Sequence, residues 1–267
     1  MGARVFFSFP EVLDPARHPD YNAWHQLDHR PENLALPGVA HGDRWVRTPR
    51  CREASAALGP DGDAGLAAAQ YAAMYWFRDP AEQSIREWVE LGSTTAEQGR
   101  RPDQDWTRRR LTGFFAPLRG WVSPRVAISA AALPFRPVRG VLLEVWRVDP
   151  PRGPGTDAAL HGLHGAVATS VEQAPGIVGA WSFASRRTTT EDDAGATSSE
   201  ERWGRLQVVV RYCEDDPVGL VDVLAQTGPA AGGGGVLTPL LRTPLETIDP
   251  WSWDWFDADF ATSGSDG

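Results

Sequence analysis

The chain has 267 residues, 42% of them apolar and 23% charged, and a formal net charge of −9, which is the composition of a globular protein of one large or two ordinary domains. All 26 basic residues are arginine, which excludes a Schiff-base lysine and the lysine of a phosphate-binding loop. The acidic balance argues against a nucleic-acid surface, and no apolar run approaches the roughly 18 residues of a membrane helix, so a soluble protein with neither partner is expected.

The opening, MGARVFFSFPEV, is too short an apolar run for a secretory signal and reads as a strand over RVFFSF. Residues 19–36 read as a helix that Pro37-Gly38 ends. Strands follow at VAHGDRWVRT and QYAAMYWF, then a helix at DPAEQSIREWVEL with Asp79 as its cap and Pro80 at its first position. Residues 99–116 look like an arginine-rich insertion, and GWVSPRVAIS like the next strand. The second half runs GVLLEVWRV (strand), 156–174 (helix), IVGAWSFASR and RLQVVVRYC (strands), DPVGLVDVLAQ (helix) and GVLTPLLRTPL (strand). Between them, 188–201 has the polarity of a disordered hairpin tip, and the glycine run 230–235 that of a flexible connection.

Two landmarks recur in order. Pro37-Gly38 and Asp79-Pro80 are matched by Pro175-Gly176 and Asp216-Pro217, at offsets of 138 and 137 residues. Each half is therefore βαββαβ, the order of a ferredoxin-like unit with both helices on one face of an antiparallel sheet. Such a sheet leaves its other face bare, so the two units are expected to pack sheet to sheet as an α+β pseudo-dimer within one chain. The expected organisation is a first repeat at 1–131, a linker at 132–140, a degenerate second repeat at 141–250 and a Trp-rich acidic tail at 251–267.

The stretch NAWHQLDHRPENLALPG holds the candidate chemistry. His25 and His29 are four apart and share a helix face, with Asp28 on a neighbouring stripe. A neutral imidazole there can take a proton from an acidic C–H or phenol near pH 7, and Asp28 or Glu32 can orient it. The competing possibility is a polar helix face in water. A shared metal is disfavoured, because Gln26 stands where the zinc-protease motif needs glutamate. On QYAAMYWF, Tyr71, Ala73, Tyr75 and Phe77 alternate with Gln70, Ala72, Met74 and Trp76. Tyr75 is the candidate acid beside His29, with Tyr71, His25 and Trp24 as substrate contacts. His41 and Arg44 on the preceding strand are candidates for holding an anionic or enolate oxygen. His161 and His164 form a weaker candidate for a haem or metal ligand. Trp251, Trp253 and Trp255 alternate in the tail, as a latch across the two halves or a lid over a pocket. Cys51 and Cys213 form no CxxC pair, which fits unreactive thiols in a reducing cytoplasm. No dinucleotide fingerprint, phosphate loop, nucleophile elbow or zinc-type spacing occurs, so no cofactor is expected.

Trp24, Asp28-His29, Pro31-Glu32 and Pro37-Gly38 together resemble the first-helix pattern of ether-degradation-type (EthD-like) proteins, in the dimeric α+β barrel superfamily. The motif covers about 25 residues, and the element order extends the likeness over both halves. Where His29 and Trp24 stand in the first half, the second has Val167 and Gly162, so one site is expected. The superfamily includes polyketide cyclases, a muconolactone isomerase, cofactor-independent quinone-forming monooxygenases and haem-containing chlorite dismutase-like proteins. The resemblance therefore implies a fold, and a choice among chemistries. The expected activity is cofactor-independent proton transfer of the cyclase, isomerase or lyase kind on a small aromatic or polyketide-like molecule. A cofactor-independent monooxygenase, or a protein that only binds a hydrophobic metabolite or a protein partner, is the alternative.

Overall fold

Strand β1 (Arg4–Val12) sets the pattern of the first half: Val5, Phe7 and Phe9 are buried on one face, while Phe6, Ser8 and Pro10 point to the other. The computed structural model describes residues 4–59, 62–101, 105–190, 204–227 and 235–256. Its further strands are β2 (Val39–Val46), β3 (Tyr71–Phe77), β4 (Thr107–Val122), β5 (Gly140–Val148), β6 (Ile177–Thr190), β7 (Leu206–Cys213) and β8 (Leu237–Thr247). Helix α1 spans residues 18–35, α2 is Pro49–Ser55, α3 Ala64–Ala68, α4 Ala81–Glu97, α5 Pro154–Gln173 and α6 Val221–Thr227.

The strands close into an antiparallel ring in the order β1-β3-β2-β8-β5-β7-β6-β4. Each half contributes its four strands in the order fourth, first, third, second, which is the ferredoxin-like arrangement. The chain is thus two βαββαβ units closed on each other as a dimeric α+β barrel. The interior is filled from both halves, by Phe7, Trp45, Met74, Trp76 and Phe115 from one and Leu143, Val145, Val208, Val210 and Leu241 from the other. At ~1.5–3 kcal/mol for each large apolar side chain removed from water, this shared core holds the halves together.

The two seams between the halves differ in extent. Strands β4 and β6 pair from Leu111↔Thr190 to Val122↔Gly179, whereas β2 and β8 pair only through Trp45↔Thr247 and Val46↔Glu246. Side chains extend the shorter seam. Arg47 Nε donates to Thr243 Oγ1 at 2.9 Å, Thr48 Oγ1 donates to Glu246 at 2.9 Å, and Arg50 pairs with Glu246 and Asp216.

Three expectations are corrected. Most of the supposed insertion at 99–116 is strand, because β4 starts at Thr107, pairs with β1 from Val12 to Val5, and ends at Val122 instead of running to residue 129. Its run of three arginines hides a buried alternation that includes Leu111, Gly113 and Phe115. Asp79 does not cap α4; Pro80 is the flanking residue, and no side chain caps the helix. The β2–β3 connection, left unassigned from sequence, contains α2 and α3. These are capped by Thr48 Oγ1 accepting from Cys51 N and by the Asp63 carboxylate accepting from Leu66 N. Residues 191–201 of the acidic segment and 230–234 of the glycine run lie outside the described residues. Among the described residues no helix is long and apolar enough to cross a membrane.

The tail behaves differently along its length. Trp251 is 78% exposed, so it is not one of three indoles pressed on the surface. Trp253 and Trp255 are partly buried and Phe256 fully so, against Val12, Tyr21, Val46, Tyr71 and Ile248. The Phe256 ring stacks on His18 with centroids 4.0 Å apart. A chain truncated before Trp251 is expected to lose about 3 kcal/mol or more of unfolding free energy, the scale of deleting one buried aromatic. Urea denaturation checks this, and an unchanged midpoint excludes a latch.

Candidate functional site

Helix α1 is not uniform. Its α-helical His18–Ala23 and Arg30–Ala35 flank a π-helical Trp24–His29, in which hydrogen bonds reach five residues back. The wider turn brings residues four and five apart into register on one stripe. His29 stacks on Trp24 at 4.6 Å and 19°, and meets the edge of His25 at 5.1 Å. This stripe faces the outer surface of the first-half sheet, where β3 presents Tyr71, Ala73, Tyr75 and Phe77; Ala72, Met74 and Trp76 point into the barrel. Gly42 on β2 allows the fit, since a Cβ there would lie 2.5 Å from the Tyr75 ring.

Between helix and sheet lies a cavity of about 70 Å³. Phe6 and Ser8 of β1, Tyr21, Trp24, His25 and His29 of α1, Ala73 and Tyr75 of β3, Trp88 of α4, and Arg101 and Arg109 are among its walls. It adjoins two shallower hollows. One, of about 370 Å³, shares Phe6, His29, Trp88, Arg101 and Arg109; the other, of about 280 Å³, shares Trp24, His29 and Arg101. His29 and Arg101 therefore stand where the three spaces meet.

The polar groups of the cavity are poorly satisfied by protein. His25 Nδ1 is buried without a hydrogen-bond partner, and the Tyr75 hydroxyl is buried with the Asn33 side chain as its polar neighbour but in no well-aligned hydrogen bond. Burial, then the positive charges of Arg101, Arg109 and Arg44, lowers the His29 pKa to about 3. Burial and Arg44 hold His25 well below its ordinary value, and burial raises the Tyr75 pKa. At neutral pH the site presents two neutral imidazoles and a protonated phenol.

The structure separates the other candidates. Trp24 and His25 line the cavity. Asp28 is exposed and borders only the outer hollow, with no ion pair to His29 among the described residues; Glu32 pairs with Arg100. Neither acid orients the imidazole. Tyr71 lies behind the wall, where its hydroxyl is 2.7 Å from His18 Nδ1 and accepts from Asn22 Nδ2 at 2.9 Å. Arg44 lies there too, 2% exposed, its guanidinium 4.4 Å from the Tyr71 ring centroid and 4.8 Å from that of Tyr21. His41 is three residues from Arg44 on one strand, so it takes the opposite face, and it packs on Phe135 at 4.8 Å. It does not join Arg44 at this site. Arg101 and Arg109 are not among the sequence candidates: Arg109 lies on a strand whose arginine run did not read as one, and Arg101 lies in a bend before it, where no periodicity points to a face. Among the described residues no group of three or more His, Cys, Asp or Glu that could hold a metal accompanies His25 and His29.

The second half fills the equivalent space. Counting from the paired strand ends, Arg4↔Phe77 and Gly140↔Cys213, Glu144 takes the place of Ser8 and Arg211 that of Tyr75. Glu144 accepts from Arg211 Nη1 at 2.5 Å and from Arg242 Nε at 3.1 Å, and Arg211 Nε donates to Ser170 Oγ at 2.8 Å. Leu163, Val167 and Val171 of α5 pack with Leu142, Trp146 and Val209. His161 is exposed, and His164 lies edge-on to Trp121. With side chains occupying this slot, the residues present do not fit a haem between α5 and the sheet.

No protein-family model matches the sequence, and no curated protein matches it. Solved structures do match. A candidate monooxygenase from Fusobacterium nucleatum is 8% identical with a TM-score of 0.53, over 93% of this chain and 94% of the other. An anthrone oxidase-like protein is 11% identical with a TM-score of 0.54, over 93% and 92%. A candidate chlorite dismutase is 12% identical with a TM-score of 0.50, over 97% and 99%. The chain shares their fold. At these identities the likeness extends to architecture alone.

Proposed function

We propose that the chain is an EthD-like enzyme that moves a proton on a small aromatic or polyketide-like molecule without a cofactor, bound in the first-half cavity. The observation that carries this reading is that the neutral His29 imidazole and the Tyr75 hydroxyl open onto one aromatic-walled space. His29 takes the proton of an acidic C–H, leaving a carbanion whose charge spreads onto the substrate oxygen. Tyr75 donates to that oxygen or returns a proton elsewhere on the carbon framework, completing an isomerisation or cyclisation. Two free, buried cysteines suit a cytoplasmic setting.

The test is deuterium exchange at the acidic CH2 of phenylpyruvate and of anthrone, followed by NMR. Wild-type protein is expected to accelerate exchange, and His29→Ala to lose 10²–10⁴-fold of that acceleration with its unfolding midpoint unchanged. Equal exchange by both proteins rejects His29 as the base. A second reading, cofactor-independent monooxygenation, is favoured by the fold shared with a candidate monooxygenase and an anthrone oxidase-like protein. There the carbanion passes electrons to dioxygen, so that anthrone and O2 give anthraquinone and water. Oxygen uptake that tracks exchange identifies this course.

A further inference from the structure

We infer that the first-half cavity selects anionic aromatic molecules, with their acid group held by Arg101 and Arg109 at the mouth and their ring against Phe6, Trp24 and Trp88. This rests on the proposal that the cavity is a substrate site, and adds the class of substrate.

Among the described residues two arginines line the cavity and no aspartate or glutamate does. Arg101 Nε is buried without a partner, and neither Arg101 nor Arg109 makes an ion pair or hydrogen bond among the described residues. The adjacent Arg110 is paired with Glu11, so the same strand satisfies one guanidinium and leaves its neighbour facing the opening. Behind the wall, Arg44 is buried with no carboxylate partner among the described residues, its guanidinium having the side chains of Tyr21 and Tyr71 beside it and no well-aligned hydrogen bond. The faces of Tyr21 and Tyr71 stabilise that charge, yet they do not neutralise it.

The duplicated half is an internal control. There two guanidiniums, Arg211 and Arg242, meet a fully buried carboxylate, Glu144. In the first half Ser8, Tyr75 and Thr112 stand at the positions of Glu144, Arg211 and Arg242, and the arginines that reach this space from other positions, Arg101 and Arg109, meet no carboxylate among the described residues. A chain with a net charge of −9 has concentrated uncompensated arginine around one aromatic hollow. An incoming anion supplies the missing charge, and the bidentate fork of arginine suits a carboxylate or enolate. Burial is the main reason the His29 pKa is low, and the same anion would offset the second, the field of Arg101, Arg109 and Arg44, making the imidazole a stronger base when substrate is present.

The experiment is calorimetric titration of the full chain with benzoate and 1-naphthoate, each beside its neutral amide, at low and moderate salt. At least one acid is expected to bind 10-fold or more tightly than its amide, and more weakly at higher salt. Arg101→Gln and Arg109→Gln should each weaken acid binding about 5–10-fold and leave the amide unchanged. Acid and amide binding alike, or acid binding indifferent to both substitutions, overturns the inference while the aromatic site stands. Neither acid nor amide binding overturns the substrate-site reading and this inference with it.

Discussion

Replacement of Glu144 by leucine is expected to lower the unfolding free energy by about 3–5 kcal/mol, whereas replacement of Arg44 by methionine should be neutral or stabilising by ~1 kcal/mol. Both residues are buried, and both lie on the helix-facing side of the sheet. Glu144 is 0% exposed and accepts from two arginines. Removing it leaves Arg211 and Arg242 as charges in a medium that solvates them poorly, with Ser170, the Leu224 carbonyl and the Trp146 ring as remaining partners among the described residues. Arg44 is already in that unfavourable condition. A methionine of similar length keeps the packing between Tyr21 and Tyr71 and removes the desolvation cost, at the loss of two cation–π contacts. Urea denaturation of the two variants checks the contrast, and equal losses would show Arg44 to be as well satisfied as the second-half cluster.

Acidification should also destabilise the protein strongly, beginning near pH 6.5. Burial, assisted by neighbouring arginines, lowers the pKa of His18 to about 4, of His29 to about 3 and of His41 to about 4; that of His25 is also well below its ordinary value. The unfolded chain protonates these imidazoles below about pH 6.5, and the native chain does so only two or more pH units lower. Between those limits the unfolded state holds more protons, so stability is full above 6.5 and falls as pH drops through the window. Asp43 acts in the opposite sense. Burial raises its carboxyl to about 6, although the Arg44 N–H and Arg30 work against this, so its native form takes a proton first. Several histidines outweigh one aspartate. With four histidines against one aspartate, about three net protons, the loss should be on the order of 4 kcal/mol per pH unit between pH 6 and 4.5. Unfolding midpoints at pH 7.5, 6 and 5 measure it, and His41→Gln should flatten the slope. A level profile would mean these rings protonate without opposition in the native fold.

The parts of the molecule that were legible in the sequence are those where one local rule decides. The alternation in QYAAMYWF, the Pro-Gly breaks after α1 and α5 and the spacing between landmarks lead to two βαββαβ units, because burial on a pleated sheet has a period of two and helices end at such breaks. Which face of β3 met the helix was not legible, since tyrosines and alanines occur on one side and Trp76 and Met74 on the other with equal apolar weight. The π-helical turn at Trp24–His29 left no sign in WHQLDH. Its one sign lies just beyond, in Pro31, which stands inside the continuous helix and has no N–H to offer the Leu27 carbonyl; the stacking of Trp24 on His29 accompanies the turn in the fold. Arg109 was hidden among Arg108 and Arg110: three like charges show no alternation, and the register shift between Phe9 and Pro10 sets Arg109 opposite Pro10 on the cavity side, where its parity with Leu111 and Phe115 alone would have turned it into the barrel. His41 could have been separated from Arg44 by parity alone.

The unequal seams have a mechanical meaning. A cask stays shut along a stave joined over its full length and gapes first where two staves barely touch. With β4 and β6 laced over most of their length and β2 and β8 by two residue pairs and a few arginine side chains, the barrel is hinged on one side and buttoned on the other. Breathing of the ring therefore begins beside α2, close to Arg44 and Tyr71 at the rear of the cavity, and the buttons Arg47, Thr48 and Arg50 set how often it occurs.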